Sequence, residues 1–247
     1  MIDRPARFAY DLLIVERFPT VVGGVIHARG VVNGPAPAAL AAAFQAEQAT
    51  VRERLGDAPL SELPSLHAWR RAFRGFGVDP TGYRSAAEAL LRRLTKQGEL
   101  PSINALVDIG NLVSIRSGLP VAMFDQATVV GGTTVTFADG HERFTDLGSG
   151  TVETPEAGEV VFVDDAGQVS ARRWCWRQSA ESAASPTTTE VLVTVEGHHE
   201  AAAADVAAAL VDLETLLRQD AAPGELVVGV VDRDHSSFAG LGDPSPS

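Results

Sequence analysis

One segment of the chain places polar side chains on a helix that is otherwise apolar. In SINALVDIGNLVSI, residues 102–115, the side chains of Asn104, Asp108 and Asn111 have the spacing i, i+4 and i+7. They fall within a stripe about 60° wide. A helix that is apolar nearly all round is buried, so its polar stripe needs partners inside the protein or a ligand. Two interpretations stay open: a satisfied internal hydrogen-bond network, or the polar wall of a pocket.

A second candidate is the run RRWCWR, residues 172–177. On a strand, successive side chains point to opposite faces, so Arg173 and Arg177 are predicted to share one face with Cys175. The two Trp side chains then share the other face with Arg172. An Arg face suits the phosphates of an RNA and a Trp can stack on a base. The alternative is that the Trp side chains lie in the core and the Arg side chains at the surface.

Generic catalytic and cofactor motifs are absent from the sequence. It contains no GxSxG, GxxxxGK[ST], HExxH or CxxC, so no metal or cofactor is expected. His198 and His199 are neighbours at the predicted start of a helix, where adjacent side chains diverge by about 100° and cannot chelate one ion together. Structural or surface roles are therefore predicted for both. His235 lies beside Asp232 and Ser236 in a polar loop, which does not favour a catalytic triad.

Charge is unevenly distributed along the 247 residues. The chain has 20 Lys+Arg and 32 Asp+Glu, a net charge of -12, which argues against a large nucleic-acid surface because cationic side chains neutralise phosphates. Residues 66–98 are the exception, with seven basic and two acidic residues, so this segment carries +5 and the rest -17. A polyanion could bind locally to this segment; the alternative is a solvated helical face.

The composition also bears on compartment. The single cysteine, Cys175, excludes a disulfide within the chain, and no stretch approaches the roughly 18 consecutive apolar residues of a membrane span. The N-terminus lacks the basic region and long apolar run of a secretory signal. A soluble cytoplasmic protein is therefore expected.

The periodicity of apolar residues, together with Gly, Pro and capping residues, predicts the helices and strands that position these side chains. Helices and strands are largely segregated along the chain, which favours an α+β fold. A helix of about 17 residues is expected after Pro37, ending near Gly56. Further helices are predicted at 66–73, from a capping box at 85–88 to Gly98, at 102–117 and at 200–218. Strands are predicted at 8–15, at 21–28 with a bulge or a close approach at Gly23 and Gly24, in short runs between 128 and 194, and at 226–231.

The segment around the polar helix resembles a known family. LRRLTKQGELPSINALVDIGNLVSIRSGLPVAMFD, residues 91–125, is similar to "RR…INALVDITN…LGQPMHAFD" in the editing module of the bacterial phenylalanyl-tRNA synthetase beta chain. That module is also called the B-three/B-four or tRNA-binding domain. The later runs GGTTVTF, GEVVFVDDAGQVSARRWCWRQ and TTTEVLV resemble the family's β-rich half in order and spacing. The resemblance covers roughly Leu66 to Val195.

The resemblance implies a single α+β domain with helices in its N-terminal half and a β-rich C-terminal half around a pocket. Residues 1–65 are expected to complete the core, 66–195 to form the editing-like region, and 196–235 to add a helix and a strand. A disordered tail is expected at 236–247. The sequence shows no synthetase catalytic motif and no anticodon-binding module, so a freestanding copy of the editing domain is expected.

The resemblance also assigns pocket positions, one by one. The family module hydrolyses tyrosine mis-attached to the tRNA for phenylalanine. Asn111 and Pro120 match its pocket, whereas Gly110 and Ala122 replace a Thr and a His, and Gln178 replaces a Glu that contacts the tyrosyl hydroxyl. Gly110 and Ala122 imply a roomier, less polar pocket wall. Gln178 supplies an amide that can both donate and accept hydrogen bonds. The expected pocket comprises Asn104, Asp108, Gly110, Asn111, Pro120, Ala122 and Gln178. No catalytic residue is assigned; the candidates to orient a water are Asn104, Asp108, Asn111 and Gln178.

The implied partner is the acceptor end of a tRNA that carries an amino acid, with no membrane and no DNA partner. The expected tRNA contacts are Arg70, Arg71, Arg74, Arg92, Arg93, Arg173 and Arg177. The acidic remainder predicts weak, salt-sensitive, local contact. Two functions stay open: hydrolysis of a mischarged tRNA in trans, or non-catalytic binding of tRNA, a nucleotide or an amino acid on the same fold.

Overall fold

The computed structural model describes residues 6–56 and 58–242. Six α-helices, a short 3₁₀ helix (Leu60–Glu62) and twelve strands are present in this part of the chain. The helices are α1 (Leu12–Arg17), α2 (Ala38–Leu55), α3 (Pro64–Gly75), α4 (Ala86–Gln97), α5 (Ala105–Ser117) and α6 (Ala202–Asp220). The strands are β1 (Phe8–Tyr10), β2 (Val22–Arg29), β3 (Val121–Asp125), β4 (Thr133–Phe137), β5 (Phe144–Thr145), β6 (Val152–Glu153), β7 (Val160–Asp164), β8 (Val169–Arg172), β9 (Arg177–Gln178), β10 (Glu190–Gly197), β11 (Glu225–Val231) and β12 (Ser237–Phe238).

Two sheets organise the molecule. A four-stranded antiparallel sheet has the order β11-β2-β10-β3, and a six-stranded sheet has the order β12-β1-β4-β7-β8-β9, in which β1 and β4 are parallel. The side chains of β10 alternate between two cores: Val191, Val193 and Val195 pack with helices α2, α4, α5 and α6, whereas Leu192 packs toward the six-stranded sheet. The arrangement is a layer of helices, a middle sheet and an outer sheet. The predicted single α+β domain is confirmed.

Capping side chains and a glycine with positive φ mark the ends of the helices. Ser85 Oγ accepts the N–H of Glu88 at 3.3 Å, and α4 ends at Gly98, whose φ is +85°. The Glu88 carboxylate does not close the expected capping box; it pairs with Arg70 at 2.6 Å. Asn104 Oδ1 likewise accepts the N–H of Val107 at 3.0 Å and caps α5.

The predicted strand at 8–15 is wrong beyond Tyr10. Asp11 accepts the N–H of Leu13 at 2.9 Å and starts helix α1. Leu12 and Leu13 are 66% and 58% exposed, so the apolar run that indicated a strand does not lie wholly in the core. The side chain of Asp11 therefore starts a helix here, although the apolar pattern predicted a strand.

The predicted strand through 172–177 is also wrong. Strand β8 ends at Arg172, and a turn follows in which Arg173 and Trp174 have positive φ angles of 44° and 59°. The N–H of Trp174 donates to Val160 O at 2.6 Å, which holds this turn against β7. The expected alternation of Arg and Trp side chains is therefore absent, and Trp174 is fully buried.

The C-terminal segment is ordered over part of the expected disordered tail. Strand β12 pairs with β1, with Phe238 opposite Phe8, and the N–H of Leu241 donates to His27 Nδ1 at 3.0 Å. The prediction of disorder is thus wrong for 237–242, because these residues close the edge of the six-stranded sheet. Residues 243–247 of the expected tail lie outside the described residues.

Of the two alternatives expected at Gly23 and Gly24, a bulge or a close approach, the structure shows the close approach, since the strand register is continuous there. A Cβ on Gly24 would lie 2.6 Å from Leu210 Cγ of α6, and a Cβ on Gly23 would lie 2.3 Å from the Tyr10 hydroxyl. Real Cβ atoms do not approach other heavy atoms so closely. The two glycines therefore let α6 and Tyr10 pack directly on opposite faces of β2.

Candidate functional site

A cavity of about 70 Å³ lies between the two sheets. Strands β3 and β10 form one wall; β7, β8, β9 and the turn before β9 form the other. Its surface is mostly apolar. The lining residues are Ala86, Pro120, Val121, Ala122, Phe124, Phe162, Ala171, Trp174, Cys175, Trp176, Arg177, Gln178, Thr194 and Glu196. Arg177 is the exposed residue of this lining and marks the mouth, and the half-buried Trp176 lies beside it.

The structure brings together only part of the expected pocket. Pro120, Ala122 and Gln178 line the cavity, on β3 and β9 and at the residue before β3. The other four expected positions, Asn104, Asp108, Gly110 and Asn111, do not line it. All four belong to α5 or its cap, and this helix packs on the opposite face of the four-stranded sheet.

The polar stripe of α5 is mainly an internal network. Asp108 is fully buried and accepts the N–H of Ile103 at 2.9 Å and the hydroxyl of Ser102. Asn104 also donates from Nδ2 to Ala184 O at 3.0 Å. These bonds fix the start of α5 and need no ligand.

Gly110 has a packing role in the same helix. A Cβ at this position would lie 3.2 Å from the Met123 side chain of β3. That distance is tighter than ordinary van der Waals contact, so the absence of a side chain lets α5 pack closely on β3. The glycine that replaces the family's threonine thus bears on helix–sheet packing rather than on the cavity wall.

The amide of Gln178 has a fixed orientation. Its Nε2 donates to Met123 O at 2.8 Å and to Ser182 O at 2.7 Å, so both amide protons are used. Its Oε1 forms no hydrogen bond with the described residues and can accept one from a water or a ligand. The two carbonyl acceptors also explain why residue 178 is Gln rather than Glu, because an ionised carboxylate has no proton to donate to them.

We predict that Gln178→Glu lowers the free energy of unfolding by about 2 kcal/mol at neutral pH, because it removes both donors and sets a carboxylate against two carbonyl oxygens. Part of the loss should be recovered in acid, where the protonated carboxyl regains one donor. Urea denaturation at pH 5 and pH 8 measures both effects. Gln45→Glu, on an exposed position of α2, is the matched control. Equal stability of the two variants at pH 8 would contradict this reading of the amide.

Glu196 is the cavity residue that sequence reasoning missed. It is 2% exposed, and its Oε1 accepts the Tyr10 hydroxyl at 2.6 Å and Trp174 Nε1 at 3.0 Å. Its Oε2 forms no hydrogen bond within the described part of the chain. Burial raises the pKa of Glu196 to about 7. The signal was present in VLVTVEG, where Glu196 has the same strand parity as the inward-facing Leu192 and Thr194.

Two other titratable groups lie beside this carboxyl group. Burial, and then the charge of Glu196, raise the pKa of the Cys175 thiol and of the Tyr10 hydroxyl well above their usual values. Both groups are therefore neutral near pH 7. A protonated thiol is a poor nucleophile, so the half-buried Cys175 is not assigned a nucleophilic role.

The mouth of the cavity carries stacked cations. The Arg173 guanidinium lies 4.1 Å from the Tyr83 ring centroid and 4.9 Å from that of Trp176, and Arg177 lies 4.5 Å from Trp176. Arg173 also pairs with Glu159 at 3.0 Å, and Arg177 with Asp146 at 2.5 Å. Two guanidinium groups thus lie within 5 Å of the Trp176 ring centroid, the buried one of Arg173 and the exposed one of Arg177.

The seven arginines expected to contact tRNA fall into two groups. Arg70, Arg173 and Arg177 are engaged in ion pairs. The other four, on α3 and α4, form no ion pair with residues in 6–56 or 58–242: Arg71, Arg74, Arg92 and Arg93. These four keep their positive charge available to a partner.

The adjacent histidines have different surroundings. His198 packs edge-on against Trp69 and Trp174, with centroids 4.5 and 4.9 Å away, and burial lowers its pKa to about 3. His199 pairs with Asp205 at 2.7 Å. No group of three or more His, Cys, Asp or Glu side chains in the described ranges could hold a metal ion. None of the described helices is long and apolar enough to cross a membrane.

The fold and the site together define a class of protein. It is an α+β domain with a small cavity between two sheets and cationic side chains at the mouth of that cavity. Residues 68–216 match the family described as the B3/4 domain. The chain belongs to the B3/4 domain family.

The chain is also similar to parts of individual proteins. The chain is 35% identical to the phenylalanine–tRNA ligase beta subunit of Nocardia farcinica over 113 residues, which are 45% of this chain and 13% of that protein. It is 38% identical to the corresponding subunit of Chromobacterium violaceum over 78 residues, 32% of this chain and 10% of that protein. The matched part is thus about a tenth of the length of these relatives. A solved N-terminal fragment of the Pyrococcus horikoshii phenylalanyl-tRNA synthetase beta-subunit matches with a TM-score of 0.44 and 13% identity, over 87% of this chain and 50% of that one.

Proposed function

We propose that this B3/4 domain hydrolyses the ester between an amino acid and the end of a mischarged tRNA, acting in trans in the cytoplasm. The observation that supports the proposal is the cavity between the sheets, which is mostly apolar. It holds three side-chain oxygens without protein partners in the described chain: Gln178 Oε1, Thr194 Oγ1 and Glu196 Oε2. A small apolar cavity with a few placed polar groups is typical of a site for one small ligand group.

The reaction consists of water addition and loss of an alcohol. A water oxygen bonds to the ester carbonyl carbon, and the bond from that carbon to the ribose oxygen breaks. The ribose oxygen takes a proton, so the products are the free amino acid and the uncharged tRNA. Positioning of the water and stabilisation of the oxyanion are the two requirements, and neither needs a catalytic triad.

The residues of the site fit these roles by depth. Gln178 is half-buried, and its free Oε1 can accept a hydrogen bond from the attacking water. The amino-acid side chain enters the deeper part of the cavity, beside the buried Glu196. The neighbouring ribose hydroxyl, or a backbone N–H, supplies the donor for the oxyanion.

The mouth and the helices beside it fit an acceptor end. Arg177 is exposed at the mouth beside Trp176, where its guanidinium can meet the phosphate of the terminal nucleotide. Phosphates further along can meet the unpaired side chains of Arg71, Arg74, Arg92 and Arg93. With a net charge of -12 on the whole chain, such contact is local, so tRNA affinity should be weak and should fall further with added salt.

The experiment that tests the proposal is release of free amino acid from a panel of mischarged tRNAs by the purified protein. We predict that Gln178→Ala lowers the rate on the best substrate by about 10- to 100-fold, because the water loses its acceptor. Asn111→Ala, on α5 and outside the cavity, is the control and should retain the rate. Circular dichroism establishes that both variants are folded. No release above the spontaneous rate from any member of the panel would refute hydrolysis.

One observation favours the non-catalytic alternative. The cavity contains no histidine, and its only carboxyl group already holds two donors. Retention of tRNA binding without amino acid release would indicate a binding module on the same fold.

A further inference from the structure

We propose that the cavity selects an amino acid with a small side chain that carries a hydrogen-bond donor, and that Glu196 is the residue that recognises this donor. The inference rests on the proposed hydrolysis of aminoacyl-tRNA and names its substrate class. It assigns a specificity role to a residue that lies on β10, away from the expected pocket positions on α5.

The size of the cavity limits the side chain. Its volume is about 70 Å³. An apolar cavity that binds benzene has about 150 Å³, roughly twice this volume. Six ring atoms therefore do not fit, whereas a side chain of two or three heavy atoms does. The walls are set by large buried side chains, Phe124, Phe162 and Trp174, which leave little room for the cavity to widen.

The polar end of the cavity favours a donor. Tyr10 and Trp174 both donate to Glu196 Oε1, and these two bonds hold the carboxyl group in place. Oε2 is left without a partner in the described chain and lies on a residue that lines the cavity. The ionised carboxylate, which predominates above about pH 7, can only accept hydrogen bonds. A ligand hydroxyl or thiol would satisfy Oε2, whereas a methyl group would leave it unpaired.

Thr194 extends the same polar end. Its side chain lines the cavity, is 1% exposed, and its hydroxyl forms no hydrogen bond with the described residues. Ala122 lies opposite Thr194 across the strand pair and adds only a methyl group. One end of the cavity thus has two oxygen atoms available to a ligand, and the rest of the wall is apolar.

Matched pairs of esters separate the effect of the donor from that of size. The protein is incubated with tRNA carrying serine or alanine, threonine or valine, and tyrosine or phenylalanine. We expect the seryl ester to be hydrolysed at least 100-fold faster than the alanyl ester and the threonyl ester faster than the isosteric valyl ester, because unpaired polar groups penalise the analogue without a donor. Tyrosyl and phenylalanyl esters should both be slow.

Glu196→Gln tests the residue itself. The amide oxygen can still accept from Tyr10 and Trp174, so the fold is retained, but an N–H₂ group replaces Oε2. The loss of the charge-assisted acceptor should reduce the seryl-to-alanyl rate ratio by at least 10-fold. Gln178→Ala is the control, since it should slow both esters alike and leave the ratio unchanged.

The outcomes distinguish this inference from the proposed function. Equal rates on the seryl and alanyl esters, or an unchanged ratio in Glu196→Gln, would overturn it while hydrolysis stands. Fastest hydrolysis of the tyrosyl ester would overturn the size argument. If no ester is hydrolysed, the proposed function fails, and NMR titration with adenosine carrying seryl or alanyl through a 3′-amide decides the recognition. Preferential binding of the seryl amide would support the role of Glu196; equal or absent binding of both would overturn it.

Discussion

Glu196→Gln is expected to raise the free energy of unfolding by about 3 kcal/mol at pH 8.5 and to leave it nearly unchanged at pH 4. Burial raises the pKa of Glu196 from 4.5 to about 7 in the folded protein. A shift of this size corresponds to about 3 kcal/mol, at about 1.4 kcal/mol for each pKa unit. The cost arises because the ionised carboxylate is removed from water while only one of its oxygens is paired.

The sign of the pH effect follows from the direction of the shift. The folded state binds the Glu196 proton more tightly than the unfolded state does. The associated stability is therefore fully present below about pH 4.5 and is lost as the pH rises through about 7. The Gln side chain does not titrate, so the stability difference between the variant and the wild type should grow across this window.

Urea denaturation of the two proteins at matched pH values measures the difference directly. Glu53→Gln, an exposed position on α2, is the control for general charge effects in this acidic protein. A difference between wild type and Glu196→Gln that stays constant from pH 4 to pH 8.5 would show that Glu196 is not charged at a cost in the folded state.

Ala122→Leu is expected to reduce ester hydrolysis by at least 100-fold while the protein stays folded. Ala122 lines the cavity and faces the six-stranded sheet. Leucine adds three carbon atoms, which would occupy most of a volume of about 70 Å³. A 100-fold loss corresponds to about 2.7 kcal/mol of transition-state binding. Stability should be unchanged or slightly higher, because apolar atoms fill apolar space.

Three measurements check this expectation: the hydrolysis rate, tRNA affinity and the urea midpoint. Affinity for uncharged tRNA should be retained, because the mouth residues Trp176 and Arg177 are untouched. Ala42→Leu, on an exposed position of α2, is the matched control and should hydrolyse at the wild-type rate. Full activity of Ala122→Leu would place the substrate side chain outside this cavity.

Local signals explain why the helices could be predicted from the sequence. Helix α4 begins at a serine whose side chain caps it and ends at a glycine with positive φ. Helix α2 follows Pro37 and ends before Gly56. Each of these boundaries depends on residues within one turn of the helix, so no knowledge of distant contacts was needed. The segregation of helices and strands likewise sufficed for the α+β class.

The turn at 173–176 shows where local patterns fail. Arg173 and Trp174 adopt left-handed backbone angles, which non-glycine residues rarely do. Burial of the Trp174 ring, its bond to Glu196 and the bond from its N–H to Val160 hold them there. All three contacts join residues distant in sequence, so the alternation of the strand pattern could not reveal the turn.

The residues of the candidate site could likewise be predicted only in part from the sequence. The sequence, through its resemblance to a family, supplied Pro120, Ala122 and Gln178, and the structure places all three around one cavity. The sequence could not show that Asn104 and Asp108 form hydrogen bonds with backbone and side-chain groups beside α5. The spacing of polar residues along a helix is the same whether they face a pocket or a neighbouring segment.

The sequence by itself determined the class of fold, most of the helices and the family to which the chain belongs, because these depend on residue types and spacings along the chain. Only the tertiary structure decided which polar groups face the cavity. Glu196 meets Tyr10 from the first strand and Trp174 from a distant turn, and the free oxygen that results depends on the packing of two sheets. That packing joins residues 186 positions apart, and no periodicity within one segment specifies it.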